Sequence, residues 1–338
     1  MLKNKNYNNF FFYWLLTIIF LIITMIVVGG LTRLTNSGLS ITSWDLITGI
    51  VPPLSNEDWN KFFDLYKEIP QYILINNDIS LNEFKFIFLW EYFHRLLGRF
   101  IGLVYLLPFV YLFLKNALSK ETSLKLAFYF MLILIQGFFG WYMVKSGLIE
   151  NVSVSHYRLS IHLGTAFILL SCLVWMFMNF RSSTTKIFLD LSRKNLPIKI
   201  LLLFLGLQII MGAFVSGLDA GKIYQTWPLM NETYFPNDVT NKDLLKFNNH
   251  SVVQFYHRNL AYIILFISLY IGIYIFKNKK NILFKPYFIY LAFIVVQIII
   301  GIFTLLSGVE IYIASLHQLS SIFLLISALN LYHQSISA

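Results

Sequence analysis

The chain has one cysteine, little charge, few acids and no nucleotide-binding fingerprint, and each shortage removes a class of protein. Cys172 has no partner, which excludes a disulfide framework and a thiolate zinc site; it reads as a small buried apolar residue in the inner half of the fourth apolar span. Charged residues make up 12% of the 338 positions, where a soluble domain carries roughly 25%. There is no Walker motif, no dinucleotide-binding glycine pattern and no zincin motif, which argues against a nucleotide-driven pump. Acids number 16 against 26 lysines and arginines, a net charge of +10. Such an excess can mark a nucleic-acid partner, but its placement here says otherwise.

What is present is apolar length. The composition is 57% hydrophobic with a mean hydropathy of +0.67. Apolar runs recur at about 11–31, 87–114, 125–145, 156–180, 199–217, 254–276, 286–307 and 313–333. A span of roughly 20 apolar residues crosses a bilayer as a helix, since lipid offers the backbone no hydrogen-bond partners. The chain therefore reads as an all-α membrane protein of eight transmembrane helices, with lipid and not nucleic acid as its surroundings. Lys3 and Lys5, then Lys115, Lys120 and Lys125, then Arg181, Lys186, Arg193, Lys194 and Lys199, then Lys277, Lys279, Lys280 and Lys285 crowd alternate connections. The positive-inside rule makes these cytoplasmic, with both termini inside. The first span is long and has no small-residue cleavage site, so it reads as an uncleaved anchor. The stretch Asn56–Tyr72, with Trp59, Phe62, Phe63, Leu65 and Tyr66 among charges, predicts an amphipathic helix that lies on the membrane or caps the bundle.

The two halves of the chain repeat one another. Residues 29–44 (GGLTRLTNSGLSITSW) align without a gap on 212–227 (GAFVSGLDAGKIYQTW), placing Gly29, Gly38 and Trp44 on Gly212, Gly221 and Trp227 at an offset of 183. EYFHRLLGR (91–99) aligns with QFYHRNLAY (254–262), QGFFGWYMVKSG (136–147) with QIIIGIFTLLSG (297–308), and HLGTAFILL (162–170) with HQLSSIFLL (317–325). The order is the same in both, so the pattern is a parallel duplication of four helices, giving two pseudo-symmetric four-helix bundles. The boundaries expected are 1–185 and 186–338.

Four histidines fall at equivalent places: His94 with His162, and His257 with His317. Each lies within roughly two turns of the start of an even-numbered span, so all four share a depth toward the outer face. A lone histidine at a helix end can be a satisfied polar residue; four at repeat positions point to two metal centres, and two facing imidazoles in a helical bundle point to haem. Copper or zinc also accept imidazole, but zinc gathers its ligands in one tetrahedral cluster, whereas here each half supplies its own pair. His156, His250 and His333 have no repeat partner and read as non-ligands.

The halves differ at one position. Glu91 shares a helix face with His94, while its counterpart beside His257 is Gln254. A carboxylate within a span is costly and by default functional. The alternative is a neutralising i,i+4 pair with Arg95, yet Arg258 stands without an acid at the matching place. This assigns a reactive site to the N-terminal half and a purely ligating site to the C-terminal half. Arg95, Arg258, Arg158 and Arg33 could hold haem propionates or snorkel to lipid headgroups. The glycines at 29–30, 137, 140, 212 and 301 read as close helix packing only.

These elements together, GGLTRLTNSGLSITSW, WEYFHRLLGR, YRLSIHLG, QIIMGAFVSGLDAG with TWPLM, FYHRNLAY and SLHQ, resemble the haem A synthase family over about 12–332. The resemblance implies oxidation of the C8 methyl group of haem O to a formyl group, giving haem A for terminal oxidases. It implies haem b between His257 and His317, substrate haem O at His94 and His162, and a catalytic Glu91. The methyl oxidation would run through an alcohol and a geminal diol to the aldehyde, with water as the oxygen source. Further implied are the bacterial plasma (inner) membrane, an electron-transfer partner, and association with the haem O-producing farnesyltransferase and oxidase assembly factors. Some members carry a cysteine pair in the first outer loop; residues 32–85 have none, which resembles the cysteine-less class of proteobacteria and mitochondria. The second reading is a non-catalytic dihaem electron-transfer cytochrome, which the Glu91/Gln254 asymmetry disfavours. A transporter would want broken helices at mid-membrane.

Overall fold

The computed structural model describes residues 1–43, 48–150, 152–188, 190 and 192–337. In chain order the helices are α1 (Asn8–Leu34), α2 (Asn56–Lys67), α3 (Pro70–Leu74), α4 (Leu81–Leu114), α5 (Lys120–Glu150), α6 (His156–Arg181), α7 (Leu196–Gly217), α8 (His250–Lys277), α9 (Phe284–Leu306) and α10 (Ile311–Ser335). All but α2 and α3 are long and apolar enough to cross a membrane, which makes eight spans. The described residues form no β-strand. The all-α membrane fold expected from the sequence is therefore observed. The Trp44 of the repeat frame lies outside the described residues.

The chain divides into two compact units, Met1–Ala166 and Phe167–Ala338. The division falls inside α6, short of the 185/186 boundary read from the sequence. Each histidine pair lies within one unit.

In the first unit α1 packs along α4. Pro108 inside α4 has no N–H, so the carbonyl of Val104 one turn earlier loses its helical donor. Trp14 of α1 supplies one from its indole, at 3.0 Å. An unpaired carbonyl in a span costs several kcal/mol, so this contact fixes the α1–α4 register. Ser80 caps α4, accepting from the Glu83 N–H while Glu83 reaches back to Ser80. That capping box starts the helix at Leu81, earlier than its apolar run begins.

The amphipathic stretch forms α2 but stops short of Tyr72, because Pro70 forces Ile69 into extended backbone (ψ 154°). Its aromatic face is buried against the protein: Trp59 and Phe62 meet Phe88 edge-on, and Phe63 stacks on Phe84 at 4.9 Å between centroids. Of the two roles expected for this helix, capping the bundle is the one seen. Tyr66, fully buried, donates to Gln71, whose amide donates to the Asn36 carbonyl. This ties the cap to the end of α1.

The second unit pairs α7 with α8 and α9 with α10. Its core centres on Tyr287 and Tyr290, the latter bonded to Ser268 at 2.6 Å. At one end Asn195 donates to the Ser335 carbonyl and Lys186 to that of His333.

Candidate functional site

Each of the four paired histidines rests against a glycine of the preceding span. A Cβ placed on Gly29 of α1 would stand 3.2 Å from His94 Nε2; one on Gly212 of α7 would stand 3.3 Å from His257 Cε1. On Gly301 of α9 it would meet His317 Cε1 at 2.8 Å, while on Gly140 of α5 it would meet His162 Cε1 at 3.5 Å. From the sequence these glycines read as close helix packing alone. They are in fact the surfaces on which the imidazoles lie, and the signal was present: in all four spans a glycine follows Met25, Gln136, Gln208 or Gln297 by four residues, one helical turn.

The pairs predicted from the sequence do come together. His94 and His162 are near enough to interact electrostatically, as are His257 and His317. Gln208 Nε2 donates to the His257 carbonyl at 3.1 Å and lies 3.4 Å from its ring. Gln297 Nε2 donates to the His317 carbonyl at 3.2 Å and stands 3.3 Å from both ring nitrogens, with its oxygen bonded to Ser320. Gln136 instead bonds the Thr165 hydroxyl, which donates to the Ile161 carbonyl at 2.8 Å and to the His162 carbonyl at 3.1 Å.

Glu91 is 2% exposed and is bonded at both carboxylate oxygens. Its Oε1 meets Arg95 at 2.6 Å, and its Oε2 accepts from the Ser40 hydroxyl at 2.7 Å and the Ile41 N–H at 2.9 Å. Arg95 also donates to the carbonyls of Ile41 (3.0 Å) and Ser43 (2.9 Å). The carboxylate and guanidinium thus form an ion pair that holds the segment after α1 over the start of α4. The aligned residues of the second unit make corresponding bonds. Arg258 donates to the carbonyls of Tyr224 (2.9 Å) and Thr226 (2.9 Å), the counterparts of Ile41 and Ser43. Gln254 reaches the same Tyr224 carbonyl at 2.9 Å. Where Glu91 accepts from a backbone N–H, Gln254 donates to a carbonyl.

The other predicted residues lie elsewhere. Arg33 bonds Asn36, and Arg158 lies over the Tyr142 ring at 4.4 Å. His250 is exposed at the start of α8. His156 rests on Tyr157. His333 bonds Asn179 at 3.0 Å and meets Trp175 edge-on.

The donor set fits a porphyrin iron held by imidazoles. Each unit offers two neighbouring rings with a flat glycine surface behind each one. The Nδ1 atoms of His162 and His257 are buried with no hydrogen-bond partner among the described residues. Buried polar atoms are normally satisfied, so these rings are built to engage something else. Arg258 Nε is likewise a buried donor without a partner, a group suited to a carboxylate of a bound ligand. Among the described residues no three His, Cys, Asp or Glu side chains gather as a metal site.

Fold and site together describe a polytopic helical membrane protein with two pairs of neighbouring histidines, one of them on a helix that also carries a buried carboxylate. The family model described as cytochrome oxidase assembly protein (COX15-CtaA) matches residues 12–329, and the chain belongs to that family. A protein named Heme A synthase from Pelagibacter ubique is 48% identical over 306 residues, covering 90% of this chain and 90% of the relative. Proteins of the same name from Neorickettsia sennetsu (44% identical; 89% of this chain, 91% of the relative) and Flavobacterium johnsoniae (41%; 89% and 90%) are similar over the same extent.

Proposed function

We propose that this protein is a haem A synthase, oxidising the C8 methyl group of haem O to a formyl group. The observation that carries this reading is the unequal pair of sites: Glu91 beside His94 and His162 in one unit, Gln254 beside His257 and His317 in the other. A haem b held by His257 and His317 would supply one-electron transfer there. His94 and His162 would hold the substrate, with its methyl group toward Glu91.

The overall change takes one methyl carbon and one water to an aldehyde, releasing four protons and four electrons. The electrons leave to an acceptor protein, and water supplies the oxygen through alcohol and geminal-diol stages. Glu91 lies one turn before His94 on the same helix. It can take a proton by giving up its bond to Ser40, or stabilise positive charge developing at the methyl carbon. Arg95 keeps it aimed throughout, because the same guanidinium is anchored to two loop carbonyls. Arg258, with a buried Nε that has no partner among the described residues, would bind a propionate. The protein would sit in a bacterial inner membrane with both termini cytoplasmic and the haem sites toward the outer face. Two pseudo-symmetric four-helix halves, bounded near 1–185 and 186–338, would each carry one haem. The farnesyltransferase that makes haem O and oxidase assembly factors would be its neighbours.

Glu91→Gln tests the assignment. Gln254 shows that glutamine is tolerated beside an arginine of this kind, so the variant should fold. Purified from cells that make haem O, it should contain both haems and form no haem A. Full conversion by this variant would remove Glu91 from the chemistry. A second reading, a plain dihaem cytochrome, would give wild-type protein containing haem B alone.

A further inference from the structure

In the second unit both histidines are held by glutamine amides, and in the first unit neither ring is. Gln208 and Gln297 each donate to the backbone carbonyl of their histidine and stand 3.3–3.4 Å from its ring nitrogens. With glycine behind the ring, His257 and His317 are confined on two sides. In the first unit Gln136 turns to the Thr165 hydroxyl, which donates to the Ile161 carbonyl at 2.8 Å and to the His162 carbonyl at 3.1 Å, and among the described residues no amide reaches the His162 ring. The residue that aligns with Gln208 is Met25, four residues before Gly29. A methionine at that place offers no donor. Its methyl group instead lies over α4 at Gly98, where an added Cβ would meet it at 3.0 Å, one turn beyond His94. Among the described residues no hydrogen bond ties the His94 ring. The aligned rings also differ in the edge they turn to glycine: His94 presents Nε2 and Cδ2, His257 presents Cε1 and Nδ1.

We propose that this substitution sorts the two sites by lability: the glutamines Gln208 and Gln297 fix the ligands of a permanently held haem, and Met25 leaves His94 as the ligand that lets go. The argument rests on the haem A synthase reading and deepens it, since a substrate haem must enter and leave while a resident one stays. An imidazole held at its carbonyl and ring by one amide has little rotamer freedom to lose on ligation. One resting on glycine and a flexible thioether must be ordered each time. Met25, Gln208 and Gln297 are positioning residues here, acting through the histidines.

The test uses carbon monoxide, which binds ferrous haem only where an axial ligand yields. Wild-type protein, Met25→Gln, Gln208→Met and Gln297→Met would be purified in detergent, their haems extracted and identified by chromatography, and the dithionite-reduced proteins titrated with carbon monoxide by difference spectroscopy. In wild type the haem O or haem A fraction should bind carbon monoxide and the haem B fraction should not. Met25→Gln should weaken binding about fivefold, the shift expected from one hydrogen bond of ordinary net strength. Gln208→Met should make the haem B fraction reactive, and Gln297→Met gives the same readout if Gln208→Met does not fold. Unchanged carbon monoxide affinity in Met25→Gln, with haem B still inert in a haem-replete glutamine variant, overturns the inference and leaves the synthase reading intact. Haem B alone in the wild type overturns the synthase reading, and a protein without haem overturns both.

Discussion

Arg95 and Arg258 donate to the carbonyls of aligned residues, Ile41 and Ser43 in one unit, Tyr224 and Thr226 in the other. Both lie one residue after a paired histidine. The loops that follow α1 and α7 are therefore each tied to the helix turn that carries a paired histidine, and a shift of the loop is a shift of the imidazole.

Arg258→Lys should break this tie without removing the charge. A lysine ammonium cannot span the two carbonyls as the planar guanidinium does. Each lost bond costs about 0.5–1.5 kcal/mol. The variant should retain less haem B and unfold several degrees lower, by absorbance-detected melting of the Soret band. Haem content and melting equal to wild type would show that the clamp holds nothing.

Arg95→Lys carries a further cost, because the buried guanidinium also meets Glu91 at 2.6 Å. A lysine keeps the charge but cannot serve the carboxylate and both carbonyls at once. We expect Arg95→Lys to lower conversion of haem O more than Arg258→Lys does. Assaying haem A per mole of protein in both variants checks the order; the reverse order would separate the clamp from the chemistry.

The glycine surfaces make graded predictions. Alanine at Gly301 puts a methyl group 2.8 Å from His317 Cε1, closer than carbon atoms come, so the ring must move. Alanine at Gly140 stands at 3.5 Å from His162, ordinary contact. Gly301→Ala should lose most of its haem B, while Gly140→Ala should keep wild-type haem content. Pyridine haemochrome quantification of the two proteins decides it, and equal retention would mean that the imidazoles do not lie on these glycines when ligated.

The sequence showed the spans, the membrane and the four histidines because each depends on local composition or on one-dimensional spacing. The His94-Arg95 and His257-Arg258 alignment was likewise visible. It did not show that Arg95 needs Glu91: the i,i+4 spacing permits the pair, but Arg258 argued against it until Gln254 was seen donating to the Tyr224 carbonyl that Arg258 also binds. Nor did it show the imidazole surfaces, although the Gln-x-x-x-Gly spacing repeats at 136, 208 and 297. Which helix face meets the next span is a packing fact, and a glycine within a span has a ready explanation in close packing. The cap was ambiguous for a related reason. An aromatic stripe on α2 suits lipid as well as protein, and it is Phe84 and Phe88 of α4 that decide between them.

That decision can be tested on α2 itself. Phe88 receives both Trp59 and Phe62 and is 3% exposed, one turn before Glu91. Truncating a buried phenylalanine costs about 3–5 kcal/mol. Phe88→Ala should loosen α2 and, with it, the Ser40 segment that reaches both the Ile87 carbonyl (3.3 Å) and Glu91 (2.7 Å). Limited proteolysis from the outer face should cut between residues 50 and 80 faster than in wild type, and haem A formation should fall while haem B at the His257–His317 pair persists. If α2 is held by lipid instead, the cutting rate will follow the detergent or lipid used and not the Phe88 substitution.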